Sequence, residues 1–401
     1  MVETHRPNRM LVTSILIMTG ILSYLPTFMV ASMLPVIGSS LNVGIEELAL
    51  ILAAQVAGLA VLQVPAGILA LRLGSRSTYL LGVFLCGLSY VAVALSRSVV
   101  GVQLGVFGGG SGEAIILGTS LSLLSSCYSE GKRGPLVGIL WGCSNGIGGT
   151  IGLPLGITLA LTYGWPVAIG MCGTLLLIFA VFALIVLRNF SVQSPVKRSG
   201  KSVGLRIVRS RAIWGLAIGM AGFVELSYVV ITFLAQYFHD AHPLWNLSSA
   251  GIITGLAIAF TMPGALIGGW LAERGQDRRM ILFFASLAFS CLFLTLPFLT
   301  PATLWILFAI EGLLAGIGYA VMYLMPSYLR ESEGEGVTLG VGIIGTFTFL
   351  ATGAYEAIFG TLVLAVGYTA TWLISSGIAI LLLPFLFLVT PNRATKIRDQ
   401  N

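Results

Sequence analysis

Gly67-Ile68-Leu69-Ala70-Leu71-Arg72 and Gly269-Trp270-Leu271-Ala272-Glu273-Arg274 share the pattern G-x-L-A-x-R, 202 residues apart in a chain of 401. Each segment closes an apolar run, and each is followed by further arginines (Arg76; Arg278 and Arg279). An offset of half the chain length points to two related halves. Outward from these segments, apolar runs bounded by charge, Pro or Gly recur along the whole chain. The first six lie at roughly 10–33, 47–70, 78–95, 99–124, 135–160 and 166–187. The second six lie at roughly 212–238, 249–272, 280–299, 302–325, 337–363 and 367–389. A helix needs about 20 apolar residues to cross a bilayer, so each run suffices for one span. A polar, basic, Ser-rich stretch separates the two sets. The expected organisation is therefore an all-α membrane protein of twelve transmembrane helices. A six-helix bundle at 1–190 and another at 212–401 flank a linker at 191–211.

Composition excludes the soluble classes. Charged residues make up 9% and hydrophobic ones 57%, against about 25% charged in soluble domains, and mean hydropathy is +0.98. The net charge of +6 does not make a nucleic-acid surface, because the basic residues lie in loops between apolar runs. The five cysteines (Cys86, Cys127, Cys143, Cys172, Cys291) have no CxxC spacing and mostly fall inside apolar runs, where cysteine packs as a small apolar residue. No metal or cofactor site is expected. Met1 to Arg9 is polar and is followed by a run too long for a cleavable leader, so residues 10–33 read as a retained first span.

Numbering the loops alternately from the N-terminus puts 20 of the 21 basic residues on one side; Arg97 alone falls on the other. The rule that cytoplasmic loops collect Lys and Arg then places the chain in the cell membrane with both termini on the cytoplasmic side. One missed or invented span would scramble that partition. The linker, with Lys197, Arg198, Lys201, Arg206, Arg209 and Arg211, is a solvated tether that can also meet anionic lipid headgroups.

The repeated segment resembles the signature loop of the major facilitator superfamily, G-x-L-A-D-R-x-G-R-K. Gly67, Leu69, Ala70, Arg72, Gly74 and Arg76 match it, with Leu71 standing where the family has an acid. In the second copy Gly269, Glu273 and Arg274 match, and Gln276 replaces the glycine. The resemblance implies that the acid contacts a neighbouring helix end and helps hold a gate. Gly112-Glu113-Ala114, Lys132-Arg133-Gly134, Gly152-Leu153-Pro154-Leu155-Gly156 and Gly164-Trp165 are similar to further pieces of the family. The arginine common in its fourth span is missing, with Gln103 near its place. The resemblance implies a monomeric secondary transporter whose cavity is lined by spans one, four, seven and ten.

The chemistry inside the membrane is sparse. Ionisable groups in hydrocarbon are costly and mark function by default. Within the spans they are Glu113, Glu225, Glu311 and Glu356, and no Lys, Arg or His lies well inside any span. A carboxyl group taken out of water is penalised only in its charged form. It can therefore accept a proton from one side and release it to the other, or hold a cationic solute. The alternative is structural, a protonated carboxyl bonded to a carbonyl or a hydroxyl. Substrate sites of repeat-built transporters lie near the midplane. Candidate lining residues there are Tyr228 and Gln236, which with Thr232 follow Glu225 on one helix face, together with Tyr24, Thr27, Asn145, Tyr319 and Tyr323. The expected function is transport of a small solute by alternating access with H+ as coupling ion. The absence of an intramembrane cation favours a cationic or neutral solute; an organic-anion symporter is the alternative within the family, and a non-transporting membrane sensor the alternative outside it. Glycines at four-residue spacing, including Gly138, Gly142 and Gly146, read as close-packing faces.

Overall fold

Long apolar runs leave the backbone no partner in lipid except itself, so helices are the expected outcome. The computed structural model describes residues 9–129, 132–189, 200–241, 247–274, 277–299, 301–329, 332 and 336–389. Within these, the side chains at 45–46, 49, 200–202, 231–232, 234–236, 238–241, 247–254, 301–302 and 357 are left undescribed. The described residues hold 12 helices long and apolar enough to span a membrane. They are α1 (Arg9–Leu41), α2 (Ile45–Leu73), α3 (Ser75–Leu95), α4 (Val99–Cys127), α5 (Arg133–Tyr163) and α6 (Trp165–Val186). After a short linker helix, Gly200–Val208, come α7 (Arg211–Ala241), α8 (Leu247–Glu273), α9 (Arg278–Thr295) and α10 (Pro301–Leu324). The stretch Gly336–Leu382 is broken at Gly367 into α11 (336–366) and α12 (368–382).

Local chemistry sets the ends. Ser98 caps α4 by accepting the N–H of Gly101 at 3.2 Å, and Asp277 caps α9 by accepting that of Arg279 at 3.1 Å. Such caps satisfy N–H groups that have no partner inside the helix. The α5–α6 and α11–α12 joints are single glycines, Gly164 at φ +88° and Gly367 at φ +81°. Only glycine takes that conformation without steric cost. Their separation of 203 residues repeats, to within one residue, the half-chain offset of the G-x-L-A-x-R segments.

Two compact units emerge, each holding most of one half of the chain together with a piece of the other. Residues 129–142, the opening of α5, belong to the second unit, and residues 334–346, the opening of α11, belong to the first. In the first unit α4 packs between α2 and α3, and α1 packs on α6 and on the later part of α5. In the second, α8 packs on α10 and on the opening of α5, and α10 packs on α9.

The glycines of α5 show how one helix serves both units. Before residue 143, Gly138 and Gly142 close onto Ala265 and Met262 of α8. After residue 147, Gly148, Gly152 and Gly156 close onto Tyr24, Leu25 and Met29 of α1. Between them Cys143–Ile147 is a π-helical turn. In an unbroken α-helix the two glycine sets would share one face. A π-turn accommodates one extra residue, which rotates the remainder of the helix by about 100°. The π-turn thus sets the phase with which Gly148, Gly152 and Gly156 meet α1.

Candidate functional site

Four helices meet at Glu113. The carboxyl sits midway along α4 and is 2% exposed. Thr27 of α1 donates its hydroxyl to Oε1, and Tyr90 of α3 donates to the same oxygen at 3.2 Å. Gln55 of α2 donates its amide to the Thr27 hydroxyl, and the Thr27 and Tyr90 hydroxyls are 3.0 Å apart. Cys86 of α3 also lies within electrostatic reach. Every partner is uncharged, and Oε2 has no hydrogen-bond partner among the described residues.

The sequence folds this way because of the residues just before the carboxyl. Gly108-Gly109-Gly110-Ser111-Gly112 removes the side chains that would hold the neighbours off. A Cβ on Gly109 would lie 2.7 Å from the Tyr90 ring, and one on Gly112 would lie 2.6 Å from the Cys86 Cβ. One on Gly110 would meet the backbone carbonyl of Gln55. The glycines thus bring α2 and α3 against α4 at the level of its one buried acid. Thr27 was singled out in the sequence; Gln55, Tyr90 and Cys86 were not. The glycine run was the available signal, because close backbone approach concentrated beside an acid implies neighbours delivered to that acid.

The other three glutamates lie in the second unit. Glu225 of α7 is 3% exposed, and neither of its carboxylate oxygens has a hydrogen-bond partner among the described residues. Glu356 of α11 and Tyr355 beside it are within electrostatic reach, and Tyr355 shares a 2.7 Å hydrogen bond with Ser375. Two ring contacts hold α7 against α11 beyond Glu225. Tyr228 meets Phe349 at 5.3 Å, and Phe233 stacks on Phe359 at 4.5 Å. Glu311 of α10 is 5% exposed and lies within electrostatic reach of Tyr319. Tyr319 stacks on Trp141 at 4.7 Å and on Tyr323 at 6.2 Å, which adds to the sequence reading an aromatic stack that includes α5. The structure therefore joins Glu225 with Glu356, and Glu311 with Tyr319 and Tyr323. Glu113 stands with its own set in the first unit.

The remaining candidates are dispersed. Tyr24 is on α1 against Gly148, and Asn145 lies in the π-turn. The side chains of Thr232 and Gln236 lie outside the described residues. Gly67 packs on Leu339 of α11, Gly74 takes φ +84° between α2 and α3, and Arg72 is exposed whereas Arg76 is half-buried. In the second copy, Oε1 of Glu273 accepts the Gly134 N–H at the start of α5 at 2.6 Å and the Tyr328 hydroxyl. Gly269 and Gly134 approach backbone to backbone. Arg274 stacks over Trp270 at 3.7 Å, and Arg278 over Tyr328 at 3.6 Å. Gln103 donates to the Glu47 carbonyl at 3.4 Å.

The family model for the Major Facilitator Superfamily matches residues 16–333 and 224–401. The chain belongs to the Major Facilitator Superfamily. Among its relatives, the hexuronate transporter of Escherichia coli (strain K12) is 23% identical over 378 residues, covering 87% of this chain and 86% of that one. The galacturonate transporter of Dickeya chrysanthemi is 22% identical over 269 residues, covering 63% and 77%. Among solved structures, the E. coli fucose:proton symporter superposes with TM-score 0.76 at 16% identity over 96% of this chain and all of that one. The human organic anion transporter MFSD10 does so with TM-score 0.73, also at 16% identity, over 96% and 100%. As a superfamily member with 12 spans, the chain is a multi-pass membrane protein and a secondary transporter. The twelve-helix architecture and the superfamily resemblance read from the sequence both hold.

Proposed function

We propose that this permease couples the movement of a small, polar, neutral or cationic solute to protons by alternating access, with Glu113 as the proton-carrying group. The observation that carries the reading is the setting of Glu113: a buried carboxyl in the middle of a span, touched only by uncharged donors. A group placed so can change charge during a cycle without breaking an ion pair. An obligatory structural acid would instead have both oxygens bonded. Glu225 with Glu356, and Glu311 beside Tyr319, offer further acceptors for a cation or for solute hydroxyls. We place the protein in the cell membrane as a monomer with both termini inside, its linker facing anionic lipid.

A second reading, transport of a sugar acid, is favoured by the names of the hexuronate and galacturonate relatives. It needs an anion held without Lys or Arg in mid-span, by hydroxyl, amide and indole donors alone. That is the weaker arrangement for a full negative charge.

Flux into proteoliposomes with an imposed pH gradient tests both. The panel is a neutral hexose, a hexuronate and a small organic cation, carried by the parent and by Glu113→Gln. Gradient-driven accumulation should be lost in Glu113→Gln, while solute counterflow without a gradient persists. Full gradient-driven accumulation by that variant would refute the coupling role. Uptake of the hexuronate alone would replace the first solute class by the second.

A further inference from the structure

Hydrogen counting around Glu113 shows more than a buried acid. Thr27 has one hydroxyl proton, and it goes to Oε1 of Glu113. The lone pairs of Thr27 are then left to receive the Gln55 amide and, alternatively, the Tyr90 hydroxyl at 3.0 Å. Tyr90 also has one proton and two acceptors in reach, Thr27 Oγ1 and Glu113 Oε1, the latter at 3.2 Å. A hydroxyl carries one donor and can rotate between acceptors. Tyr90 can therefore donate to the carboxylate when Glu113 is charged and to Thr27 when it is neutral, with no heavy atom moving. The Gln55 amide holds Thr27 so that its proton stays on the carboxyl. Each of the four groups comes from a different helix, α1 to α4 in turn, and the glycines before Glu113 admit them. Among the described residues, the titratable groups facing Glu113 are Cys86 and Tyr90, both from α3; α1 and α2 present the uncharged Thr27 and Gln55.

We propose that Gln55, Thr27 and Tyr90 form a collar of positioning residues that sets the pH at which Glu113 takes up and releases its proton. The proposal rests on the reading of Glu113 as the proton-carrying group. Donors to a carboxylate favour its charged form, so removing one should move the titration toward higher pH.

Infrared difference spectroscopy of the purified full chain during a pH titration reads this with the proton as the only ligand. The carbonyl stretch that the parent shows and Glu113→Gln lacks belongs to Glu113. In Thr27→Val its midpoint should move upward by about one pH unit, the effect of losing one charge-assisted bond. Tyr90→Phe should move it upward by less, and Thr27→Ser should restore the parental value. Thermal unfolding of each variant separates a shift from a loss of fold. Should Thr27→Val not fold, the pair Tyr90→Phe and Gln55→Leu carries the same comparison. A parental midpoint in the folded donor-deleted variants overturns the collar and leaves the Glu113 reading standing. If Glu113→Gln removes no titrating band, the Glu113 reading falls and the collar with it.

Discussion

Glu273 and Leu71 occupy the same place in the two copies of G-x-L-A-x-R, and the difference between them has a structural consequence. Glu273 Oε1 accepts the N–H of Gly134 and the hydroxyl of Tyr328. It thereby satisfies a first-turn amide of α5 that no intrahelical carbonyl reaches, at the end where an acid also meets the helix dipole favourably. Leu71 can accept nothing; it lies against Gly204 of the linker helix. The opening of α5 is thus held by a polar latch, while the matching position at the end of α2 is apolar. Replacing Glu273 by Ala should cost about 1–2 kcal/mol, the usual value of a helix-capping acceptor. Glu273→Gln keeps an amide oxygen for the Gly134 N–H and should lose less than half of that. Thermal unfolding of the two purified variants beside the parent measures the difference, and equal melting of all three would show that the latch contributes nothing. The latch was legible in part. The resemblance implied a helix-end contact for the acid, but Tyr328 lies 55 residues away and no local pattern links the two.

Among the elements, α5 has the most to explain, because two glycine sets on one helix reach two different neighbours. A healed helix makes the geometry testable. Since the π-turn behaves as one extra residue in an α-helix, deleting Asn145 should restore regular α-geometry and leave both glycine sets aimed at α8 and α1. Inserting one alanine after Ile147 should instead turn Gly148, Gly152 and Gly156 by about 100° in the opposite sense, cancelling the offset of the π-turn and driving side chains into α1. The deletion is expected to elute and melt close to the parent; the insertion is expected to lose the folded peak in size-exclusion chromatography. Failure of the deletion with survival of the insertion would show that the phase argument is wrong. Four-residue glycine spacing was readable as close packing, and the structure bears that out for Gly138 and Gly142. The partner of each set was not readable. Partner choice depends on helix phase, and a π-turn changes phase without any change in hydrophobicity. The collar around Glu113 was hidden for a related reason, since Tyr90 and Thr27 lie 23 and 86 residues from the acid. Only contacts between helices reveal such neighbours, whereas hydropathy, being a property of each segment alone, yields the span count directly.

At the scale of the whole molecule, charge asymmetry makes a claim about topology that fold alone does not. With 20 of 21 basic residues on one side, the loops containing Arg206 and Arg97 should face opposite compartments. The structure sharpens this, because α4, α5 and α6 lie between those residues and an odd number of crossings must separate them. Both residues are exposed, so a cysteine at either would be open to an aqueous reagent. Of the native cysteines, Cys86, Cys127, Cys143 and Cys172 are buried, and Cys291 of α9 is exposed, so both variants are made in a Cys291→Ser background. In intact cells a membrane-impermeant maleimide should label Arg97→Cys and spare Arg206→Cys, and permeabilisation should expose the second. Labelling of Arg206→Cys alone would invert the orientation while preserving the three crossings. Labelling of both from outside would contradict the crossings themselves. The positive-inside preference is strong when counted over short loops, and all the loops on this path but the linker are short. The expected result therefore rests on Arg97 standing alone on its side.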